Sequence, residues 1–485
     1  MIRSAVTVPV VLAITLATVD ANAALFASLA ALLVVLSERS GTLGQRLFRS
    51  GAGLGAGIVA EAFGSSTGGT GWIPLAALLG FGLVAGVLSS ITSALSFASM
   101  QLLVQVSIAC GLAVEISRWE RLTSYIAGGL FAIAVMVVQS AIERTSGLYL
   151  AAADGAERAV ELSAFDPENV AAASVADREL DLAQDLITWA RPIGPTRRAL
   201  VEKARAKYAN ALVKALGVAT QQPAPLVASV TPGDAQAVLR EAIGARSTWA
   251  LVGRLEACLL VGELVRQASP LGHGYWITLT IALCLKPDFA PVFTRTVQRG
   301  VGTLLGLVVG VVFVLLPSRL FALALLVAAG GAVPYTVRRN YGWFAFVITP
   351  QVFVLLELGQ PVSWTTIVER AANTLIGCVI VLTVGNALWP ATWARGLRHE
   401  ADLLDADIDE FLSRAAQGLS FETAVQRLAL SRRITALKDQ AAVMSETSIS
   451  PQRYRLLAED ITRIEGRFRL GMRRIRPDAV TEQVP

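Results

Sequence analysis

Apolar residues fall into two long blocks, roughly 1–145 and 246–390, each followed by a charged stretch in which apolar residues return at helical spacing. After an opening apolar segment, the first block has runs at about 22–37, 44–62, 71–92, 96–116 and 122–141. The second has runs at about 247–267, 273–285, 299–316, 319–337, 342–358 and 366–388. A helix crosses a bilayer core with about 20 apolar residues, so the pattern predicts six membrane helices per block. One run is too short for a regular crossing: Tyr275 to Leu285 is only about eleven residues. It stops at Lys286-Pro287-Asp288, where proline removes a backbone donor and breaks a helix. Arg295 and Arg299 follow, then Gly302, Gly306 and Gly310 on one helical face. Small residues four apart let helix backbones approach closely in lipid. A short helix, a charged break and a glycine-faced helix point to a transporter core.

The two blocks read as a repeat. Glu120-Arg121 with Gly128 matches Glu369-Arg370 with Gly377, each pair 249 positions apart. Gln45-Arg46 with Gly53 and Gly57 matches Gln298-Arg299 with Gly306 and Gly310, 253 apart, and at that spacing Asp20 falls opposite His273. Two six-helix halves in sequence run parallel, related by an axis along the membrane normal. The first residues imitate a secretory signal, with an early arginine, an apolar core and an Ala21-Asn22-Ala23 ending. The repeat makes that segment the counterpart of a second-block helix, so it reads as a first, short membrane helix. The expected fold is an all-α polytopic membrane protein with two parallel repeats, 1–145 and 246–390. Helical cytoplasmic segments follow at 146–245 and 391–485.

Composition agrees. The chain is 54% hydrophobic and 16% charged, against about 25% charged in ordinary soluble domains. The net charge of +5 suits cytoplasmic loops better than nucleic-acid binding. Arg39, Arg46, Arg49, Lys286, Arg295, Arg299, Arg338 and Arg339 fall on one side with both charged segments; Arg118, Arg266 and Arg319 fall on the other. That bias places both termini and both segments in the cytoplasm of a multi-pass bacterial inner-membrane protein. In the first segment the apolar face is carried by Leu180, Leu182, Leu186 and Trp189, then Val201, Ala204, Tyr208 and Leu212. In the second, helices are expected near 394–415, 421–444 and 451–475, with Pro451 in a first turn. Their charged faces read as solvated, with packing of the two segments on each other as the alternative.

Catalysis lacks a sequence basis. No phosphate-binding G-x-x-x-x-G-K-[ST] loop, G-x-S-x-G elbow or zinc-protease motif occurs. Cys110, Cys258, Cys284 and Cys378 are isolated in apolar runs, and His273 and His399 are the only histidines, so neither a metal site nor a cofactor is expected. The remaining candidates are ionisable groups near or within apolar runs, which are costly in a membrane and usually face a bundle interior. Asp20 and His273 read either as a proton-coupling pair or as two loop residues. Lys286, Asp288, Arg295 and Arg299, with Arg46, read either as an anion-attracting mouth or as topology signals. Arg121 and Arg370 open equivalent final helices. Glu256 and Glu263 share one face of a helix that also carries Arg254. Tyr275 and Trp276 read as a stacking surface for an aromatic ring or as part of an interfacial belt.

The run Tyr275-Trp276, Thr278, Thr280, Lys286-Pro287-Asp288, Arg299, Gly302-Thr303 and Gly306 resembles the signature of the fusaric acid resistance family, which overlaps the aromatic acid exporters. Glu369-Arg370, Asn373-Thr374, Gly377 and Trp389-Pro390 agree with it. The resemblance is clear over about 246–390 and weaker over 1–145. It implies an inner-membrane exporter of small organic, aromatic anions, coupled to protons. A passive organic-anion channel and a membrane scaffold for an envelope-biosynthesis partner are the competing readings. It also implies membrane lipid and an organic anion as partners, with a periplasmic adaptor protein or a second copy of the chain as further ones.

Overall fold

The computed structural model describes residues 2–475 except 38–42, 65, 67–68, 92, 113–115, 143–145, 166–169, 189–194, 217–238, 241–242, 245, 286–291, 316–318, 358–362, 388–389, 419–420 and 448–450. The chain divides into two compact units. The first comprises Met1–Ser40, Arg46–Gln139 and Gln236–Pro390; the second comprises Gly41–Gln45, Ser140–Ala235 and Ala391–Pro485.

The first unit begins with α1 (Ile2–Thr18), α2 (Ala21–Ser37), α3 (Leu43–Gly64), α4 (Trp72–Ser89), α5 (Ser93–Gly111) and α6 (Arg118–Ile142). In the second block, α10 (Arg246–Ala268), α11 (Tyr275–Cys284), α12 (Val292–Leu315), α13 (Arg319–Arg339), α14 (Tyr341–Glu357) and α15 (Trp364–Ile380) follow, and α15 widens into a π-helical stretch, Val381–Ala387. The two blocks interlock: α1 packs on α13, and α4 packs on α10. The short α11 is wedged among α5, α10 and α15, with Tyr275, Trp276, Ile277 and Ile281 all buried.

Glycines set the closest approaches. A Cβ at Gly128 of α6 would strike the Ala27 carbonyl of α2; one at Gly377 of α15 would lie 3.0 Å from the Ile277 carbonyl oxygen of α11. At Gly306 a Cβ would meet the Phe346 carbonyl oxygen at 2.7 Å, so glycine is what lets α12 lie against α14.

The outward faces are apolar. On α12, Val297, Val301, Leu304, Leu305, Val308 and Val312 form an exposed stripe, while Thr296, Arg299 and Thr303 are buried. A helix that is apolar outside and polar inside reverses the pattern of a water-soluble protein. Three helices among the described residues are long and apolar enough to cross a membrane: Trp72–Ser89, Arg118–Ser140 and Trp364–Gly385. Shorter apolar helices lie at Ala5–Thr18, Ala21–Ser37, Leu95–Gly111, Tyr275–Cys284, Ala324–Val333 and Tyr341–Leu355. The long helices α3, α10 and α12 carry charges along their length, Arg46, Arg49 and Glu61 in α3 being an example. The chain is an all-α membrane protein.

The second unit contains α7 (Ser146–Phe165), α8 (Val170–Thr188) and α9 (Pro195–Leu216), with α16 (Pro390–Gln417), α17 (Phe421–Thr447) and α18 (Pro451–Ile475). Its charged segments are not separately solvated. Arg427 of α17 pairs with Asp177 of α8, Arg432 donates to Gln184 at 2.7 Å, and Leu428 joins the core formed by α7, α8 and α9. Val201, Ala204, Tyr208 and Leu212 face that core, as their spacing predicts. Leu182 does not: it is half exposed, because Leu180 and Ala183 occupy the buried face on either side of it. Trp189 lies outside the described residues.

Candidate functional site

The loop before α11 is held by the last helix of its block. His273 sits in the left-handed region at φ 54°, a conformation that is uncommon for a non-glycine residue and needs support. Its Nδ1 lies 2.8 Å from Glu369 Oε2, and the Gly272 amide donates to Glu369 Oε1 at 3.1 Å. Asn373, one turn along α15, donates to the Gly272 and His273 carbonyls at 2.9 and 3.2 Å. Trp276 and Ile277 amides then return to His273 and Gly274, closing the first turn of α11.

Arg370 follows Glu369 and so points about 100° away around the helix, into the unit. Its guanidinium carbon lies 3.8 Å from the centre of the Trp276 ring and 4.6 Å from that of Phe353. Tyr275 stands beside Trp276, with ring centres 5.0 Å apart. The side chain is 2% exposed, and neither Nε nor Nη1 has a hydrogen-bond partner. Arg299 of α12 is buried as well, its Nε is unpartnered, and it lies within electrostatic reach of Arg370 and Tyr341. The hydroxyls of Thr280, Thr303 and Tyr341 are buried without a partner in the same block. No carboxylate among the described residues forms an ion pair with Arg299 or Arg370, and α12 carries no Asp or Glu at all.

The first block treats its arginine differently. Arg121 Nε binds the Glu61 carboxylate of α3, Gln105 of α5 donates to the other oxygen of Glu61, and Arg121 Nη2 reaches the Ala109 carbonyl at 3.3 Å. The guanidinium lies 4.5 Å from the Phe26 ring centre. Both ends of this ion pair are buried.

The other expected residues are placed as follows. Asp20 caps α2, accepting from the Ala23 amide at 2.7 Å, and its partner is not His273. Arg46 is buried on α3, and Arg295 lies over the Tyr341 ring at 5.6 Å. Lys286 and Asp288 lie outside the described residues. Glu256 and Glu263 do not act as a pair. Glu263 binds Arg266 and Gln267, whereas Glu256 faces Gly82 of α4 with a buried, unpartnered Oε1. Arg254 is buried on the same helix. A narrow cleft lined by Ala85, Ser89, Ser99, Leu103, Leu255 and Ala282 has none of the arginines in its wall.

Glu61, Gln105 and Phe353 escaped the sequence reading. Glu61 had a signal, since it is the lone acid in a glycine-rich apolar helix. Phe353 had none, lying in an unbroken apolar run.

Comparison with known proteins finds its family match in the second block. The family model described as fusaric acid resistance protein-like matches residues 257–384. The uncharacterized protein YhfK of Escherichia coli is 32% identical over 157 residues, covering 32% of this chain and 22% of that protein. The inner membrane protein YccS of Escherichia coli is 29% identical over 211 residues, 41% of this chain and 29% of that protein. The uncharacterized protein ORF2 of Neisseria gonorrhoeae is 26% identical over 167 residues, 34% of this chain and 40% of that protein. The matches thus span from about one fifth to two fifths of these relatives' lengths. No solved structure matches the chain. The segment 257–384, which carries Arg299, Arg370 and the short α11, is thus similar to the fusaric acid resistance protein-like family.

Proposed function

We propose that the protein is a proton-coupled exporter of small organic, aromatic anions in the bacterial inner membrane. The observation that carries this reading is the pair of buried arginines, Arg299 and Arg370, in an apolar helical unit where no carboxylate among the described residues pairs with them. A buried charge without a partner is strongly unfavourable, and a protein that keeps one in a membrane uses it. Trp276 and Tyr275 give the site flat apolar surface for a ring. The reciprocal packing of α1 on α13 and α4 on α10 supports two parallel repeats, the architecture in which short helices mark the binding site. The arginine bias of the loops supports cytoplasmic termini. His273, poised against Glu369 at the mouth of α11, is the residue that would carry the coupling proton.

The test is transport by the purified protein in proteoliposomes, using a panel of aromatic acids with and without an imposed pH gradient. Saturable flux that follows the gradient is expected. Anion currents indifferent to the gradient would make the protein a channel, and no flux of any acid would remove the transport reading.

A further inference from the structure

The two buried arginine sites differ in one component. Arg121 has a carboxylate, Glu61, seated on its Nε, and the amide of Gln105 holds that carboxylate in place. Arg370 has the same chemistry and the same sort of aromatic neighbour, Trp276 where Arg121 has Phe26. Yet its Nε and Nη1 are unpartnered, α12 has no acid to offer, and the second neighbour of the guanidinium is the phenyl ring of Phe353, centred 4.6 Å from its carbon. Buried donors on an arginine are nearly always satisfied, so two open donors on one guanidinium call for an explanation.

We infer that Arg370 is a binding site for one small monocarboxylate, whose carboxylate completes the second block as Glu61 completes the first. The planar body of the ligand then lies among Trp276, Tyr275 and Phe353, which already stack around the guanidinium. Carboxylates and guanidinium groups match as forks, which selects a carboxylate over a neutral amide of the same shape. Because Arg370 is closed over in this state, the anion enters when α11 or the Phe353 ring moves aside. This inference deepens the anion-transport reading and rests on it only for direction and energy source; binding itself does not require transport.

The experiment is equilibrium binding of radiolabelled benzoate to the full-length protein in nanodiscs, with benzamide as competitor. Two variants of nearly equal size separate charge from shape. Phe353→Gln leaves Arg370 without a counter-ion; Phe353→Glu supplies one. Benzoate is expected to bind the wild type and benzamide not to compete. Phe353→Gln should weaken binding about threefold through the lost ring contact. Phe353→Glu should weaken it by about tenfold or more, because the guanidinium is already satisfied. Equal benzoate affinity in the two variants, competition by benzamide, or no benzoate binding to the wild type would each overturn the assignment. If Phe353→Glu does not fold, Arg370→Lys against Arg370→Gln makes the same comparison: lysine should retain measurable binding and glutamine none, and equal affinities would overturn it. Binding that survives while proteoliposome flux is absent would sink the transport reading alone.

Discussion

Arg121 and Arg370 each follow a glutamate at the start of the last helix of a membrane block, and the two blocks use them in opposite ways. Arg121 is part of a closed ion pair with Glu61, held further by Gln105 and by the Phe26 ring. Arg370 has rings on two sides and no ion pair with an acid among the described residues. The first arrangement resembles a structural rivet, since its charges cancel within the protein. The second leaves a buried guanidinium whose Nε and Nη1 have no partner among the described residues. The lesson is that a motif carried twice along a chain need not carry the same role twice; the neighbour that neutralises the charge decides the role.

The largest expected effect concerns stability. Glu61→Ala strands a buried guanidinium and should cost about 3–5 kcal/mol, the range for breaking a buried pair. Thermal unfolding of the purified protein in detergent would register it as a clear fall in the transition temperature. Arg370→Met, by contrast, removes an unpaired buried charge in favour of an apolar side chain of similar length. It should leave the transition unchanged or raise it by up to the equivalent of about 1–4 kcal/mol. If both substitutions destabilise alike, Arg370 is as structural as Arg121 and the contrast between the blocks fails.

A somewhat smaller effect distinguishes the loop from the cation. His273 holds its left-handed backbone through Glu369 and Asn373. Asn373→Ala removes two partly buried hydrogen bonds to that loop and should cost about 1–3 kcal/mol. His273→Ala should leave benzoate binding largely intact and flatten the dependence of the initial transport rate on external pH, as expected of the residue proposed to carry the coupling proton. A pH profile that overlays the wild type would take His273 out of the coupling step and move attention to Glu256, whose buried Oε1 has no partner.

The smallest effect serves as a reference pair in the second unit. Burial pushes the Glu465 carboxyl up, but the hydrogen bonds from Lys438 and Arg469 outweigh it and hold the group below its ordinary value. A depressed acid stabilises the fold above its unfolded value and loses that contribution as pH falls through the folded value. Lys438→Met should therefore cost at most about 1 kcal/mol at neutral pH, and the difference from wild type should vanish under acid conditions below the ordinary carboxylate range. A cost as large as that of Glu61→Ala would mean that depth in the membrane unit is not what makes the Glu61–Arg121 pair matter.

Much of this was legible in the chain. The helices were, because apolar runs ended at charges, glycines and prolines: the eleven-residue run from Tyr275 appears as the ten-residue α11, and Pro451 opens α18. The candidate cations were too, since a lone arginine such as Arg370 in an apolar helix is conspicuous. Pairing was not legible. Asp20 and His273 sit at matching places in sequence, yet Asp20 caps its own helix through a local hydrogen bond, whereas His273 binds Glu369, far along the chain and brought to it by packing. Glu61 and Arg121 are far apart along the chain and meet through packing of α3 on α6, where Gly57 lies against Tyr125. Phe353 could not be singled out, because its part at Arg370 comes from position, not chemistry. The packing of α17 on α8 depends on complementary charges, Arg427 and Asp177, that sequence spacing does not relate.

The central contrast is tested most directly by locating a heavy-atom-labelled carboxylate in the structure. Crystals or vitrified particles of the full-length protein would be prepared with 4-iodobenzoate and its iodine located by anomalous signal or by map difference. The expected result is one iodine per chain in the second block, with the carboxylate within hydrogen-bonding distance of Arg370 Nε or Nη1 and no density at Arg121. Iodine at both arginines, or at neither while the ligand is bound elsewhere, would contradict the division of roles between the two blocks.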